Sequence, residues 1–142
     1  GELNMGQLVR EQFGGAACLV GFSTHAGSVT AARDWDSPAE QRRVRPSLPG
    51  SYERLFHEAG PERFFLRLGD RPLRDALMPA RLERAIGVIY VPESERTSHY
   101  FRAHLPEQFD LMTHIDHTRA HQPLERWAQI ESDVPETYPT GM

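Results

Sequence analysis

Histidine is the residue type in this sequence that is best suited to chemistry near neutral pH, and seven histidines occur in 142 residues. Three of them, His114, His117 and His121, lie close together around Asp116. On a continuous helix these three would share one face, as ligands of a divalent metal ion require. Residues 110–116 instead have the content of a strand, on which His114 and Asp116 would share one face. We therefore favour the absence of a metal site, although the spacing leaves that alternative open.

His99 and His25 are the other histidines whose surroundings indicate a role in catalysis. His99 follows Glu95 and Arg96, and a histidine beside such groups can act as a general acid or base or orient a substrate. A histidine that bonds a neighbouring carbonyl at the start of a strand would have the same sequence signature. His25 follows an apolar run, where open α/β sheets place ligand contacts, although a turn histidine would look alike. The candidate catalytic residues are therefore His99, His25, Glu95 and Arg96.

The familiar catalytic signatures do not occur in the sequence. It contains no glycine-rich phosphate loop, no G-x-S-x-G elbow, no CxxC pair and no H-E-x-x-H motif. The single cysteine, Cys18, cannot form an internal disulfide and lies in an apolar run that predicts a buried thiol. We therefore expect no serine or cysteine nucleophile, and we predict no cofactor.

The composition is typical of a soluble globular domain, with 39% hydrophobic and 25% charged residues. A net charge of -4 offers no electrostatic footprint for nucleic acid. The longest apolar stretches are too short to cross a bilayer. We therefore predict a cytoplasmic domain without a nucleic-acid or membrane partner.

The elements that must position the candidate residues alternate between helical and strand patterns, which is the pattern of an α/β domain. Residues 5–13 and 52–59 repeat apolar side chains at helical spacing. Residues 16–22 and 87–91 are apolar at successive positions, which is typical of strands covered on both faces. We therefore predict helices packed on a mostly parallel sheet. Shorter strands are predicted at 64–68, 99–104 and 110–116, a short helix at 72–78 and a long surface connection at 34–50.

The chain divides into a domain over residues 1–124 and a polar, loosely ordered tail over residues 125–142. It begins with Gly1 and enters a helix directly, so we expect a piece of a longer protein and an incomplete domain. An incomplete domain can expose a sheet edge, through which we expect the chain to self-associate.

A family resemblance is carried by ordered segments that run along nearly the whole sequence. They are GELNMGQLVR at 1–10, GFSTH at 21–25 with GSVTAA at 27–32, LERAIGVIY at 82–90, and SHYF at 98–101. Together these segments resemble the erythromycin esterase family from Gly1 to about Glu125.

The resemblance implies a hydrolase that opens a macrolide lactone or another ester of a small molecule with an activated water, a histidine base and supporting carboxylates. In this family the base-bearing motif lies upstream of the matched region, so the isolated chain is expected to be inactive. The resemblance also implies that His25 and His99 lie nearest the cleft, with Glu95 and Arg96 as orienting groups. Relatives more often carry an acid at the position of His117, which weighs against a family metal site there. The alternative is a non-catalytic binding or interaction domain.

Overall fold

The computed structural model describes residues 4–122, in which short helices and strands alternate. The tail predicted for residues 125–142 lies outside the described residues. No helix in the described part of the chain is long and apolar enough to span a membrane. The helices are α1 (Met5–Phe13), α2 (Tyr52–Glu58), α3 (Arg71–Leu77), α4 (Glu95–Ser98) and α5 (Leu105–Gln108). The strands are β1 (Val20–Ser23), β2 (Ala26–Ala31), β3 (Glu40–Val44), β4 (Arg63–Arg67), β5 (Arg81–Arg84), β6 (Tyr100–Ala103), β7 (Leu111–Ile115) and β8 (His117–Thr118).

Within residues 4–122 the strands form two three-stranded sheets and one two-stranded sheet. The first sheet has the order β1-β7-β4, with β1 parallel and β4 antiparallel to β7. The second has the order β3-β2-β8, with β3 antiparallel and β8 parallel to β2, and β5 pairs antiparallel with β6. The combination of helices and sheets that the sequence predicts is confirmed. The prediction of a mostly parallel sheet is wrong, because the sheets are mixed.

One strand that the sequence does not predict, β3, is an edge strand with little burial. Residues 34–50 lack an apolar period and predict a loop, yet β3 lies within them and buries only Val44. An edge strand of this kind needs backbone hydrogen bonds from one neighbour and no apolar period. Residues 87–91 predict a strand but make only an isolated bridge, between Ile89 and Ala32.

Helices α1 and α2 begin and end within one residue of their predicted bounds, and each begins at a side-chain N-cap. Asn4 Oδ1 accepts a hydrogen bond from the amide of Gln7 at 2.8 Å. Ser51 Oγ accepts one from the amide of Arg54 at 3.1 Å. The caps satisfy amide groups that the first turn of a helix leaves without partners.

The main hydrophobic core lies between α2 and the first sheet, with the Tyr52 side chain at its centre. The Tyr52 hydroxyl lies 2.9 Å from the carbonyl oxygen of Leu77 and 3.1 Å from that of Ala103. It also accepts the amide hydrogen of Leu105 at 3.2 Å. One side chain therefore joins α2 to α3, β6 and α5. The buried members of this core are Tyr52, Phe56, Leu68, Leu77, Ala103, Leu105 and Met112.

The opposite face of the first sheet is open in the part of the chain that the structure describes. Phe22 is 74% exposed, Phe65 56% and Val20 42%. The apolar run at 16–22 predicts a strand covered on both faces, but the strand begins only at Val20. Cys18 lies before it and is exposed, so the prediction of a buried thiol is wrong. The core described above covers one face of this sheet, and an apolar run alone cannot show which face is covered.

Gly27 allows β2 and β8 to approach each other closely. Its φ is +130°, and a Cβ at this position would lie 2.2 Å from the carbonyl oxygen of Thr118. Both the backbone conformation and the space therefore require glycine. The contact fixes β8 beside β2. It thereby also fixes the segment that connects β7 to β8.

We expect Tyr52→Phe to lower the free energy of unfolding by about 1–3 kcal/mol, because buried backbone groups lose their hydroxyl partner. Urea denaturation at pH 7 measures this change. Trp35→Phe is the control, because Trp35 is 74% exposed and its replacement should cost less than about 0.5 kcal/mol. Equal stability of the Tyr52→Phe variant and the parent would contradict the central role of this hydroxyl.

Candidate functional site

A group of imidazole rings surrounds one carboxylate at the carboxyl ends of β1 and β7. These strands are parallel, with Ser23 paired to His114, so their carboxyl ends meet at one side of the sheet. His25 follows β1, Asp116 follows β7, and His57 comes from the last turn of α2. We call the set His25, His57, His114, Asp116 and His117 the histidine–aspartate cluster.

Asp116 lies at the centre of the histidine–aspartate cluster and is buried. Its Oδ1 lies 2.8 Å from Nδ1 of His57 and 3.4 Å from Nε2 of His114. Its Oδ2 lies 3.2 Å from Nδ1 of His117. Burial alone would raise the pKa of Asp116, but hydrogen bonds from His57 and His114 outweigh it and lower that pKa. The carboxylate is therefore ionised at neutral pH and forms the negative centre of the cluster.

The rings of His25 and His57 stack face to face, with centroids 3.7 Å apart and planes 5° from parallel. Nδ1 of His25 lies 2.6 Å from Oγ of Ser47, which is itself buried. Burial, and next the neighbouring His57 ring, lower the pKa of His25 to about 4. His25 is therefore neutral at pH 7 and keeps a nitrogen lone pair.

His114 is the inner member of the cluster and is fully buried. Its Nδ1 lies 2.9 Å from Oγ of Ser23, and its ring packs against Phe56 and Phe64 at centroid distances of 5.5 and 5.1 Å. Burial lowers the pKa of His114. This histidine therefore anchors Asp116 to the core, whereas His117 lies at the solvent side of the same carboxylate.

A buried ion pair between β5 and α4 supports the cluster. Arg84 Nη1 lies 2.9 Å from Oε1 of Glu95, and both side chains are buried. Arg84 Nη2 donates hydrogen bonds to the carbonyl oxygens of Thr24 and His25. The Tyr90 hydroxyl donates to the same Glu95 oxygen at 2.8 Å. Glu95 therefore holds Arg84, and Arg84 holds the main chain at His25.

The structure brings two of the four candidate catalytic residues to the cluster. His25 belongs to it, and Glu95 reaches it through Arg84. A catalytic role for either residue stays a prediction, because the contacts establish position only.

The other two candidates, His99 and Arg96, lie apart from these contacts. His99 donates from Nδ1 to the carbonyl oxygen of Ala85 at 3.2 Å, and its Nε2 accepts the amide hydrogen of Val91 at 3.2 Å. These contacts fit the alternative that the sequence left open for His99, a histidine that bonds a backbone carbonyl at the start of a strand. Arg96 is exposed on α4. Catalysis by His99 and Arg96 also stays a prediction.

The strand predicted over 110–116 is present as β7, and His114 contacts Asp116 across one face as the sequence suggested. His121 does not share in these contacts, and its carbonyl oxygen accepts a hydrogen bond from Thr30. The three histidines at helical spacing are therefore not one ligand set.

Within residues 4–122, a group that could hold a metal ion is instead formed by His25, His57 and Asp116. Each offers one ligand atom, and these atoms all lie within 4.8 Å of one another. His57 is not among the residues predicted from the sequence, and its one signal there is its place in the last turn of a predicted helix. Arg84 is not among them either, because no local pattern shows which carboxylate a distant arginine will meet.

A cleft of about 390 Å³ lies beside the cluster. The strand end at Ser23 and Thr24 separates the two, and no member of the cluster lines the cleft. Most of the lining is apolar, which suits a hydrophobic small molecule. The apolar lining comes mainly from Phe22, Val29, Ile86 and Ile115, and Glu53 and Arg84 also border it.

Two buried carboxyl groups, Glu53 and Glu83, flank Arg84. Glu53 Oε1 accepts the amide hydrogen of Arg84 at 2.9 Å. Burial, and next the charge of Glu53, raise the pKa of Glu83 to about 7. The folded protein therefore binds a proton at Glu83 over a pH range in which the unfolded chain does not.

Comparison with known proteins gives one family and two solved structures. The family described as erythromycin esterase matches residues 1–118. A succinoglycan biosynthesis protein is similar with a TM-score of 0.66 and 20% identity, and a Bacillus cereus protein with a TM-score of 0.64 and 19% identity. The matches cover 80% and 82% of this chain but 27% and 29% of those proteins. The chain thus spans less than a third of the length of these relatives.

We expect Glu83 to make the folded protein less stable as the pH rises from about 4.5 through 7. Below this range the carboxyl group is protonated in both states, whereas above it the folded protein must ionise a buried group. A shift from 4.5 to about 7 corresponds to at most about 3 kcal/mol.

Glu83→Gln stays neutral and should remove this part of the pH dependence, which urea denaturation at pH 5 and pH 8 measures. Glu107→Gln, at an exposed position, is the matched control and should keep the dependence of the parent. A Glu83→Gln variant with the same loss of stability between the two pH values would refute the assignment.

Proposed function

This chain belongs to the erythromycin esterase family, and on that basis we propose that it forms part of a hydrolase that opens an ester or macrolactone with an activated water. The observation that carries the proposal is the 2.8 Å contact between Nδ1 of His57 and Oδ1 of the buried Asp116. In hydrolases a carboxylate that holds an imidazole in this way fixes the tautomer and the orientation of the ring, so that its other nitrogen can bind a reacting group.

The His57–Asp116 pair has the orientation that water activation requires. Because Nδ1 of His57 faces Asp116, Nε2 is the nitrogen that can accept a hydrogen bond from a water molecule. The His57 side chain is 35% exposed, so water and the substrate can reach it. The carboxylate holds the ring in the tautomer and orientation in which Nε2 can accept a hydrogen bond from that water. His25 is neutral at pH 7 and stacks on His57, so it adds no positive charge beside the water.

In this proposal the pair acts with groups from outside the chain. We take the principal histidine base to lie in an upstream segment, as the family resemblance implies, and the chain spans less than a third of its solved relatives. We infer that the histidine–aspartate cluster orients the attacking water next to that base. Since the loss of one member of such a unit removes most of the rate, the 142-residue chain alone is inactive in this proposal.

The cleft beside the cluster supports a hydrophobic substrate. Its apolar side chains would contact the hydrocarbon part of an ester or lactone, whose reacting group would reach past the strand end at Ser23 and Thr24 to the cluster. Glu95 keeps a positioning role in this proposal, because it acts on the main chain of His25 through Arg84.

A second candidate function is a non-catalytic interaction module. The exposed side chains Val20, Phe22 and Phe65 on the open face of the first sheet favour it, because apolar faces of this kind often bind another protein surface. In this case the cluster would serve the structure only.

We expect hydrolysis of 4-nitrophenyl butyrate and of a macrolide by the longest polypeptide that the reading frame encodes, and none by the 142-residue chain. In the longer protein, His57→Ala and Asp116→Asn should each reduce kcat about 100-fold or more, because they remove or release the water-orienting imidazole. His104→Ala is the matched control, since His104 is exposed and contacts only the carbonyl oxygen of Met78 through its ring.

Full activity of a folded His57→Ala variant would reject the role of the cluster. Hydrolysis by the 142-residue chain itself would show that the upstream segment is not needed. A longer protein that hydrolyses no ester but binds another macromolecule through the Phe22 face would support the interaction module instead.

A further inference from the structure

We propose that His25, His57 and Asp116 bind one divalent transition-metal ion of the zinc class, with the remaining coordination positions open to water. This inference goes beyond the proposed hydrolase and rests on the geometry of the cluster, so binding and catalysis can be tested separately. It also differs from the site that the spacing of His114, His117 and His121 suggested.

The distances between the ligand atoms come close to those of a metal site. Ligand atoms about 2.1 Å from a common zinc ion lie roughly 3–4 Å apart. One atom each of His25, His57 and Asp116 already lies within 4.8 Å of the other two. Rotation of the side chains, chiefly of the partly exposed His57 ring, would bring all three atoms onto one ion.

Surrounding contacts hold the three ligands in position. Metal-binding histidines usually bond a second group through the other ring nitrogen, and this contact fixes the ring. Nδ1 of His25 has this contact with the buried Ser47 hydroxyl, so Nε2 is the nitrogen that faces an ion. The Asp116 carboxylate is held in turn by His114 and His117. The cluster thus has both an inner set of ligands and an outer set of orienting groups.

The stacked rings define the movement that binding requires. Two parallel imidazoles with centroids 3.7 Å apart cannot both direct an in-plane lone pair at one ion, so the partly exposed His57 ring must rotate away from the buried His25 ring. Within the described residues, Nε2 of neither His25 nor His57 has a hydrogen-bond partner. A cation placed among these atoms would bind both nitrogens and the carboxylate, and the water of the proposed hydrolase would then be held by the ion and not by Nε2 of His57.

The ligand types select the class of ion. Two imidazoles and one carboxylate suit zinc, iron or manganese, whereas calcium and magnesium prefer all-oxygen sites. Three protein ligands leave at least one position for water, as in catalytic rather than structural zinc sites. The 35% exposure of His57 gives the ion a path from solvent.

Isothermal titration of the untagged, chelator-treated chain with zinc chloride tests the proposal. We expect one ion per chain with a dissociation constant at or below the micromolar range. Cobalt chloride should produce visible absorption bands that report nitrogen and oxygen ligands at the same site.

His57→Ala and Asp116→Asn should weaken zinc binding at least 10-fold, because each removes one ligand. His104→Ala should bind as the parent does, since that exposed histidine lies outside the cluster. Circular dichroism establishes that each variant is folded. If Asp116→Asn does not fold, His57→Ala decides, because His57 is partly exposed and lies in the last turn of α2.

The proposal is overturned if the parent shows no saturable binding of zinc or cobalt up to millimolar concentration. It is also overturned if a folded His57→Ala variant binds zinc as tightly as the parent. Zinc binding without ester hydrolysis in the longer polypeptide would retain the metal site and reject the hydrolase. Ester hydrolysis without metal binding would retain the hydrolase and reject the metal site.

Discussion

The buried ion pair between Arg84 and Glu95 is the interaction on which the arrangement of the site depends. A charge removed from water is costly unless a partner and further hydrogen bonds compensate it, so both groups must stay together. Here the guanidinium also donates to main-chain oxygens of Thr24, His25 and Arg45. The end of β1 and the end of β3 are thereby fixed to β5 and α4. The requirement to satisfy one buried charge thus determines where the His25 backbone lies.

The second determinant is the parallel pairing of β1 with β7, which gives the site residues that are far apart in sequence. Its register places Ser23 opposite His114, and each strand then delivers one further residue, His25 or Asp116, just beyond its end. The shared environment moves the pKa values of these two groups downward for different reasons. Burial keeps His25 neutral, whereas hydrogen bonds keep Asp116 ionised. The neutral His25 imidazole, which keeps a nitrogen lone pair, therefore lies near the ionised carboxylate of Asp116.

Local patterns in the sequence were sufficient for the features that depend on neighbours along the chain. The capping side chains of Asn4 and Ser51 and the apolar spacing of α2 determine their helices within a few residues. The same holds for the strand-like content of β7. The strand directions could not be obtained in this way, because they depend on which segments meet after the chain has turned. The edge strand β3 was missed for the related reason that its hydrogen bonds come from a partner and its side chains are mostly exposed.

The candidate site shows the same division. His25 and the contact of His114 with Asp116 could be inferred from positions at and after strands, whereas His57 and Arg84 could not. Both reach the site from elements distant in sequence, and neither stands in a motif that signals chemistry. The family resemblance extends over the matched residues and adds an expectation of activity, but it does not assign a role to His57.

Gly27 links this geometry to the way the protein can vary. It has no functional group, yet any side chain there would collide with the backbone of Thr118 and displace the short strand that follows Asp116. In a library of random variants selected for function, position 27 should therefore tolerate as few substitutions as the histidines themselves. We expect an alignment of homologues to show an invariant glycine at this position. The cause would be the close approach of two strands and not a role of the glycine in a reaction.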